Sequence, residues 1–173
     1  MVALIETERL RLRPLTAEQA GSVVAGERAG QPWSAGYPRG DDQDVARMAL
    51  AHPAAEPWFG PLQIVARDSE LVVGGIGFFG PPDEHGVVEF GYGVVPAVEG
   101  RGYATEALRG LLRYAFATGR VRRAIADTAH ENVGSQRVME KAGMRLTHSD
   151  DRLRHYETTE PVGRGTARHR RPA

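Results

Sequence analysis

The sequence predicts an α+β fold: a mixed, mostly antiparallel sheet with helices on both faces, in the order β-α-α-β-β-β-α-β-α-β-β. Three observations lead there. Three strand-like runs crowd the middle of the chain between Pro61 and Val95, separated by short polar or proline-containing stretches, as in an antiparallel meander. The period then switches, with Ala104, Ala107, Leu108, Leu111, Leu112, Ala115 and Phe116 recurring at spacings of three and four, which is an amphipathic helix. A further strand-like run follows that helix, so the helix forms one parallel crossover.

Each element has its own warrant. Glu8 to Leu15 alternates apolar and charged residues, the pattern of a half-buried strand. Thr16 caps a helix expected to reach about Arg28, with Glu18 in its first turn. Gln31 to Gly40 is a Pro/Gly loop, and Asp41 to Ala51 reads as a second helix that begins with acidic residues. The three central strands are Pro61–Asp68, Leu71–Phe79 and Gly86–Val95. The amphipathic helix ends at Gly119, Val121 to Thr128 is the next strand, and Val133 to Ala142 is a short helix stopped by Gly143. Met144–Thr147 and Leu153–Thr158 form a closing pair of strands. From Glu160 onward the chain has almost no large apolar residues, so residues 1–159 are expected to form one domain and 160–173 a disordered basic tail.

Composition narrows the function. Basic and acidic residues balance at 22 each, so no global field favours nucleic acid or an anionic membrane. The absence of cysteine excludes disulfides, thiolate metal sites and a thiol nucleophile. The histidines show no ligand spacing, so no metal is expected. MVALIETERL has no signal-peptide pattern and no apolar run approaches a membrane span of about 20 residues, which makes the cytoplasm the expected location.

The chemistry concentrates in Glu89 to Leu108, EFGYGVVPAVEGRGYATEAL. A strand runs to Pro96, a short glycine-containing loop follows, and a long helix starts at once. Gly100 and Gly102 allow a tight curl and close approach to a ligand. The first helical turn directs unsatisfied N–H groups and the positive end of the dipole into the loop, and Arg101 adds a charge. This is a diphosphate cradle. It is not a Walker loop, because Gly102 is followed by Tyr103 rather than by Lys-Ser/Thr. Gly75-Ile76-Gly77-Phe78-Phe79-Gly80 matches the dinucleotide fingerprint by letters, but Pro81-Pro82 follows instead of a helix. That run is expected to be a strand interior where backbones pack closely.

Glu99-Gly100-Arg101-Gly102-Tyr103-Ala104 resembles the Gln/Arg-x-x-Gly-x-Gly/Ala signature of the GNAT N-acetyltransferase superfamily. EFGYGVVP looks like that superfamily's fourth strand. Asn132-x-x-Ser135, with Val138 and Glu140-Lys141-x-Gly143-Met144 after it, resembles the corresponding block of the RimJ/RimL-like branch, and Thr7 to Arg13 is similar to its opening strand. The resemblance covers roughly residues 6–158. One position departs: Glu99 stands where Gln or Arg is usual, and a carboxylate there is expected to face solvent.

The resemblance implies a sheet splayed between strands four and five, with acetyl-CoA as donor and co-substrate. Backbone amides of Arg101, Gly102, Tyr103 and Ala104 would hold its diphosphate. The main chain of Val94 and Val95 would meet the pantetheine arm and polarise the thioester carbonyl, and Asn132 would hydrogen-bond the pantetheine. Glu89 would act as base, directly or through water, or else is a strand-surface carboxylate in a salt bridge; Ser135 or Tyr92 would protonate the leaving sulfur, unless Tyr92 is an aromatic packed in the sheet. The acceptor is expected to be a primary amine, on a small molecule or a protein N-terminus, in a ternary complex with a monomer or homodimer. Trp33, Tyr37, Trp58 and Phe59 either line the acceptor pocket or pack in the core. Asp41, Asp42 and Asp44 either attract a cationic acceptor or only start a helix. A non-catalytic acyl-CoA-binding sensor or scaffold is the rival reading.

Overall fold

The computed structural model describes residues 4–159; the basic tail expected from Glu160 lies outside the described residues. The chain opens with β1 (Ile5–Glu6) and β2 (Leu10–Pro14), joined by a turn in which Thr7 N–H donates to the Leu10 carbonyl at 2.9 Å. β1 has two residues, too few to show any period, and pairing Ile5 with Leu12 makes it a strand. Thr16 then caps α1 (Ala17–Ala25) through a reciprocal box with Gln19. The helix stops three residues short of Arg28 because Gly26 takes a left-handed conformation, φ 70°, and its N–H closes back on Ser22 and Val23. α2 (Gly40–Ala51) follows the Pro/Gly loop.

Three antiparallel strands come next: β3 (Pro61–Ala66), β4 (Val72–Phe78) and β5 (Val87–Val94). The crossover helix α3 (Tyr103–Ala117) leads to β6 (Arg123–Ala129), then α4 (Val133–Lys141), β7 (Arg145–Ser149) and β8 (Leu153–Thr159). All eight strands join one sheet in the order β1-β2-β3-β4-β5-β6-β8-β7. Only β5 and β6 run parallel, so the sheet is mixed and mostly antiparallel, as the sequence predicts.

That parallel pair is short. Val87, Val88 and Glu89 face Arg123, Ala124 and Ile125, and pairing stops there, although β5 runs on to Val94 and β6 to Ala129. Beyond Glu89 the sheet therefore splays open, with β5 held only by β4.

The two faces of the sheet carry different helices. Phe78 packs on Phe59, and Phe59 meets Tyr114 of α3, which places this face of β4 under α3. Leu108 and Leu111 of α3 are fully buried there, and Trp58 leans on Tyr114. On the opposite face, Asp42 of α2 lies against Gly75, and the buried Tyr37 hydroxyl accepts a hydrogen bond from Gln63 Nε2 at 3.2 Å. Trp33, Tyr37 and Phe59 are all buried, so these three pack in the core. Burial raises the Tyr37 hydroxyl to about 12, against a lowering by the Gln63 hydrogen bond. Among the described residues, no helix is long and apolar enough to cross a membrane.

Candidate active site

The loop between β5 and α3 is tightly wound. A single 3₁₀ turn at Pro96–Val98 leads into Gly100 and Gly102, both with positive φ, 74° and 78°. A side-chain-bearing residue is strained at such angles, and these two allow the chain to turn straight into the helix. No side chain caps α3. Among the described residues, the amides of Gly102, Tyr103, Ala104 and Thr105 have no protein acceptor, so four donors converge at the positive end of a 15-residue helix. The Arg101 amide is partly used, since it donates to the Val98 carbonyl at 3.4 Å. Glu99 is exposed.

Arg9 holds this loop from outside, a contact that local sequence patterning does not show. Its guanidinium donates to the Arg101 carbonyl at 2.8 Å, stacks over the Tyr103 ring at 4.7 Å and pairs with Glu106 at 2.7 Å. Glu106 also accepts from the Thr7 hydroxyl at 2.6 Å and from the Arg9 amide at 2.7 Å. Burial pushes the Glu106 carboxyl up, but these hydrogen bonds outweigh it and the net shift is downward. A groove of about 600 Å³ opens beside them, lined by four cations, Arg9, Arg109, Arg113 and Lys141, and by two carboxylates, Glu8 and Glu106. The donors and cations together suit a polyanion such as a diphosphate.

Within the splay, backbone geometry decides which groups are open. Antiparallel neighbours share bonds at alternate residues. The Glu89 carbonyl accepts from Phe79 N–H at 2.9 Å and Val95 N–H donates to the Val73 carbonyl at 2.8 Å, so the odd residues of β5 turn their polar groups to β4. Tyr92 and Val94 consequently turn theirs into the gap. Val95 is fully buried and its carbonyl also accepts from Val98 N–H, so its main chain is already occupied; of the two valines, Val94 has the open groups.

The side chains of Tyr92 and Ser135 meet across the gap, with Oη and Oγ 2.8 Å apart. Sequence spacing offers them as alternatives, and the fold makes them one hydrogen-bonded unit. Burial pushes the Tyr92 hydroxyl up to about 12, against the lowering effect of Ser135, so the phenol stays protonated through the physiological range. Asn132 caps α4 by accepting the Ser135 amide at 3.1 Å, which fixes Ser135 in the first helical turn.

Glu89 points the other way. It sits on the last paired rung of β5 and β6, is exposed, and shares a face with Gly91 and Gly93. Among the described residues its side chain has no ion-pair or hydrogen-bond partner. Of the α2 acids, Asp42 is buried against Arg39, with contacts of 2.8 and 2.9 Å, whereas Asp44 forms an exposed pair with Arg47. No group of three His, Asp or Glu among the described residues is placed to hold a metal ion.

Comparison with known proteins agrees with this architecture. Residues 9–145 match the family profile described as the acetyltransferase (GNAT) domain. The N-acetyltransferase YjdG of Bacillus subtilis is 31% identical over 163 residues, 90% of this chain and 97% of that protein. An acetyltransferase structure from Agrobacterium tumefaciens superposes with a TM-score of 0.65 at 26% identity, over 92% of this chain and 96% of that one. The ribosomal-protein-S5-alanine acetyltransferase of Vibrio fischeri shares the fold at 14% identity, TM-score 0.65, over 91% and 96% of the two chains.

Proposed function

The chain belongs to the GNAT family of N-acetyltransferases, and we propose that it transfers an acetyl group directly from acetyl-CoA to a primary amine in a ternary complex. The observation that carries the reading is the juxtaposition of two features at one end of the splay. Uncapped amides of Gly102, Tyr103 and Ala104 offer a diphosphate site, and the hydroxyl pair of Tyr92 and Ser135 stands in the gap that leads from it.

The residues divide the work. Gly102, Tyr103 and Ala104 hold the diphosphate through their amides, with Arg101 adding charge and Arg9, paired with Glu106, bracing the loop. Asn132, whose side-chain carbonyl is committed to the cap, keeps its NH₂ group for the pantetheine. Val94 pairs its main chain with the pantetheine arm, and its N–H holds the thioester oxygen as negative charge develops there. The incoming ammonium loses a proton to Glu89. Glu89 and Gly93 lie about 13 Å apart along the strand, and the side-chain-free rung at Gly91 between them leaves room for a water to relay that proton. The amine nitrogen then bonds to the acetyl carbon as the carbon–sulfur bond breaks, and the second proton that the nitrogen sheds on becoming an amide passes through the Tyr92–Ser135 hydroxyl pair to the leaving sulfur. Tyr92, backed by Ser135, hydrogen-bonds the departing sulfur. A thiol has a pKa of about 8.5, below that of Tyr92, so the phenol stabilises the thiolate and is not left ionised.

The acceptor is a protein N-terminus or a small-molecule amine. Isothermal titration with acetyl-CoA, followed by CoA release on a panel of amines, tests the proposal. Silent titration would overturn it, and binding without release on any amine would reduce the chain to a coenzyme-binding module.

A further inference from the structure

The face of the sheet opposite Tyr92 is stripped of side chains at its centre. Gly75 pairs with Gly93 and Gly77 with Gly91, so four residues on two neighbouring strands present bare backbone to the α2 side. A Cβ at Gly75 would stand 3.0 Å from Asp42 Oδ1, and one at Gly77 would run into the backbone of Gly60 and Pro61, so neither position accepts a side chain. The floor lies along the lip of the splay, on the rungs between Glu89 and Val94.

Two side chains are laid on it. The ring of Phe79 lies 3.2 Å from where a Cβ of Gly91 would stand, and Phe79 is 70% exposed. The Arg39 guanidinium lies on Gly93, where a Cβ would overlap its Nη1. Asp42 holds Arg39 in place, accepting from Nε at 2.9 Å and from Nη2 at 2.8 Å, and also from the Arg39 amide at 2.9 Å. That leaves both protons of Nη1 without a protein acceptor among the described residues, one rung from Val94. Arg39 is only 23% exposed and Asp42 6%, so the group is fixed and partly dry.

We infer that Arg39 is a specificity-determining residue that donates from Nη1 to a neutral carbonyl oxygen beside the acceptor's amine, selecting α-amino acyl amides such as a peptide N-terminus. This rests on the acetyltransferase reading and names the acceptor class. The polarity of the pair favours a neutral carbonyl over a carboxylate: Asp42 already cancels the Arg39 charge, so the site offers directed donors with little net field. In an α-amino amide the oxygen lies about 3 Å from the nitrogen, a hydrogen-bond length. Binding that oxygen over Gly93 therefore brings the amine to the mouth of the gap beside Val94. The exposed Phe79 ring is placed to meet an apolar side chain on the same acceptor.

Three acceptors test this: alaninamide, free alanine and isopropylamine, each assayed with wild type, Arg39→Gln and Gly93→Ala. Gly93→Ala pushes the whole guanidinium off Gly93, since a Cβ there would also crowd Cζ and Nη2, yet it keeps both charges of the Arg39–Asp42 pair, so it serves if Arg39→Gln fails to fold with Asp42 unpaired. Comparing the loss on each acceptor cancels their different basicities. Either variant should lower kcat/KM for alaninamide about tenfold or more beyond any loss on isopropylamine, the effect of removing a charge-assisted hydrogen bond. Affinity for acetyl-CoA by titration should not move. Equal losses on alaninamide and isopropylamine would overturn the inference and leave the acetyltransferase reading intact. A larger loss on alanine than on alaninamide would overturn the neutral-carbonyl assignment, because the site would then bind a carboxylate. No turnover of any of the three by wild type that binds acetyl-CoA would also overturn it, whereas no binding of acetyl-CoA would overturn the function itself.

Discussion

The two faces of β5 are built on opposite plans. Toward α3 and α4 the strand presents Val88, Phe90, Tyr92 and Val94, filled by aromatic packing and closed by a hydroxyl pair. Toward α2 it presents Glu89, Gly91 and Gly93, a carboxylate beside bare backbone. On the proposed function, this eight-residue strand separates a donor side, where side chains are ordered by packing, from an acceptor side, where their absence makes room. Alternation alone produces this, since each side chain's face is fixed by its parity.

The largest expected effect breaks the acceptor side while sparing the donor side. Glu89→Gln should keep acetyl-CoA affinity by titration and lower turnover about 100-fold, the usual scale of general-base loss. Raising the pH should partly restore the variant on a lysine-like amine, because more acceptor then arrives unprotonated. Superimposable pH–rate profiles for variant and wild type would take Glu89 out of the mechanism.

A converse substitution strikes the donor side. Gly102→Val places a branched side chain at φ 78° in the diphosphate cradle. The acetyl-CoA dissociation constant should rise about tenfold or more, or about 1.4 kcal/mol. Normal affinity in a folded variant would move the diphosphate elsewhere.

Tyr92→Phe sharpens the comparison because it touches chemistry without emptying the packed face. The ring still stacks on Phe90, so the melting temperature should fall only by the few degrees that losing the hydroxyl's bonds to Ser135 Oγ and the Ser135 carbonyl costs. Turnover should fall about tenfold as one hydrogen bond to the sulfur is lost, with Ser135 supplying the remainder. Unchanged turnover would assign that step to Ser135 or to water.

The contrast between faces also governs how much the sequence discloses. The donor side is legible because its parts are contiguous: strand, glycine loop and helix follow one another from Glu89 to Leu108, and each has a local physical signal. Helix starts and stops are likewise local, as the Thr16 box and Gly26 show, with ends misplaced by only a few residues. What escapes is whatever depends on distant contact. Arg39 lies 54 positions before Gly93, and nothing in either segment announces that one rests on the other. The glycines at 75 and 77 are read as a place of close backbone approach, but their alignment with Gly93 and Gly91 follows only from register. Tyr92 and Ser135 are found as separate candidates, and their union needs the fold. Val95 looks as available as Val94 until parity assigns its N–H to Val73.

The smallest expected effect concerns Arg9, Thr7 and Glu106, which brace the donor loop without touching the reacting atoms. Glu106→Gln should leave turnover at saturating acetyl-CoA unchanged and weaken coenzyme affinity only about two- to fivefold, because a neutral amide still accepts hydrogen bonds but no longer holds the Arg9 charge. The same carboxylate gives the loop a pH dependence whose sign follows from linkage. Its folded pKa is lowered from the ordinary glutamate value of 4.5, with the hydrogen bonds from Thr7 and Arg9 overcoming the effect of burial. The stabilisation is therefore complete above about 4.5 and declines as pH falls through the lowered folded value. Thermal melts of wild type and Glu106→Gln should differ by a constant amount at neutral pH and begin to converge as the pH falls below about 4.5. A difference that widens on acidification would mean that the carboxylate is held neutral in the fold, and the brace would then rest on Arg9 and Tyr103 alone.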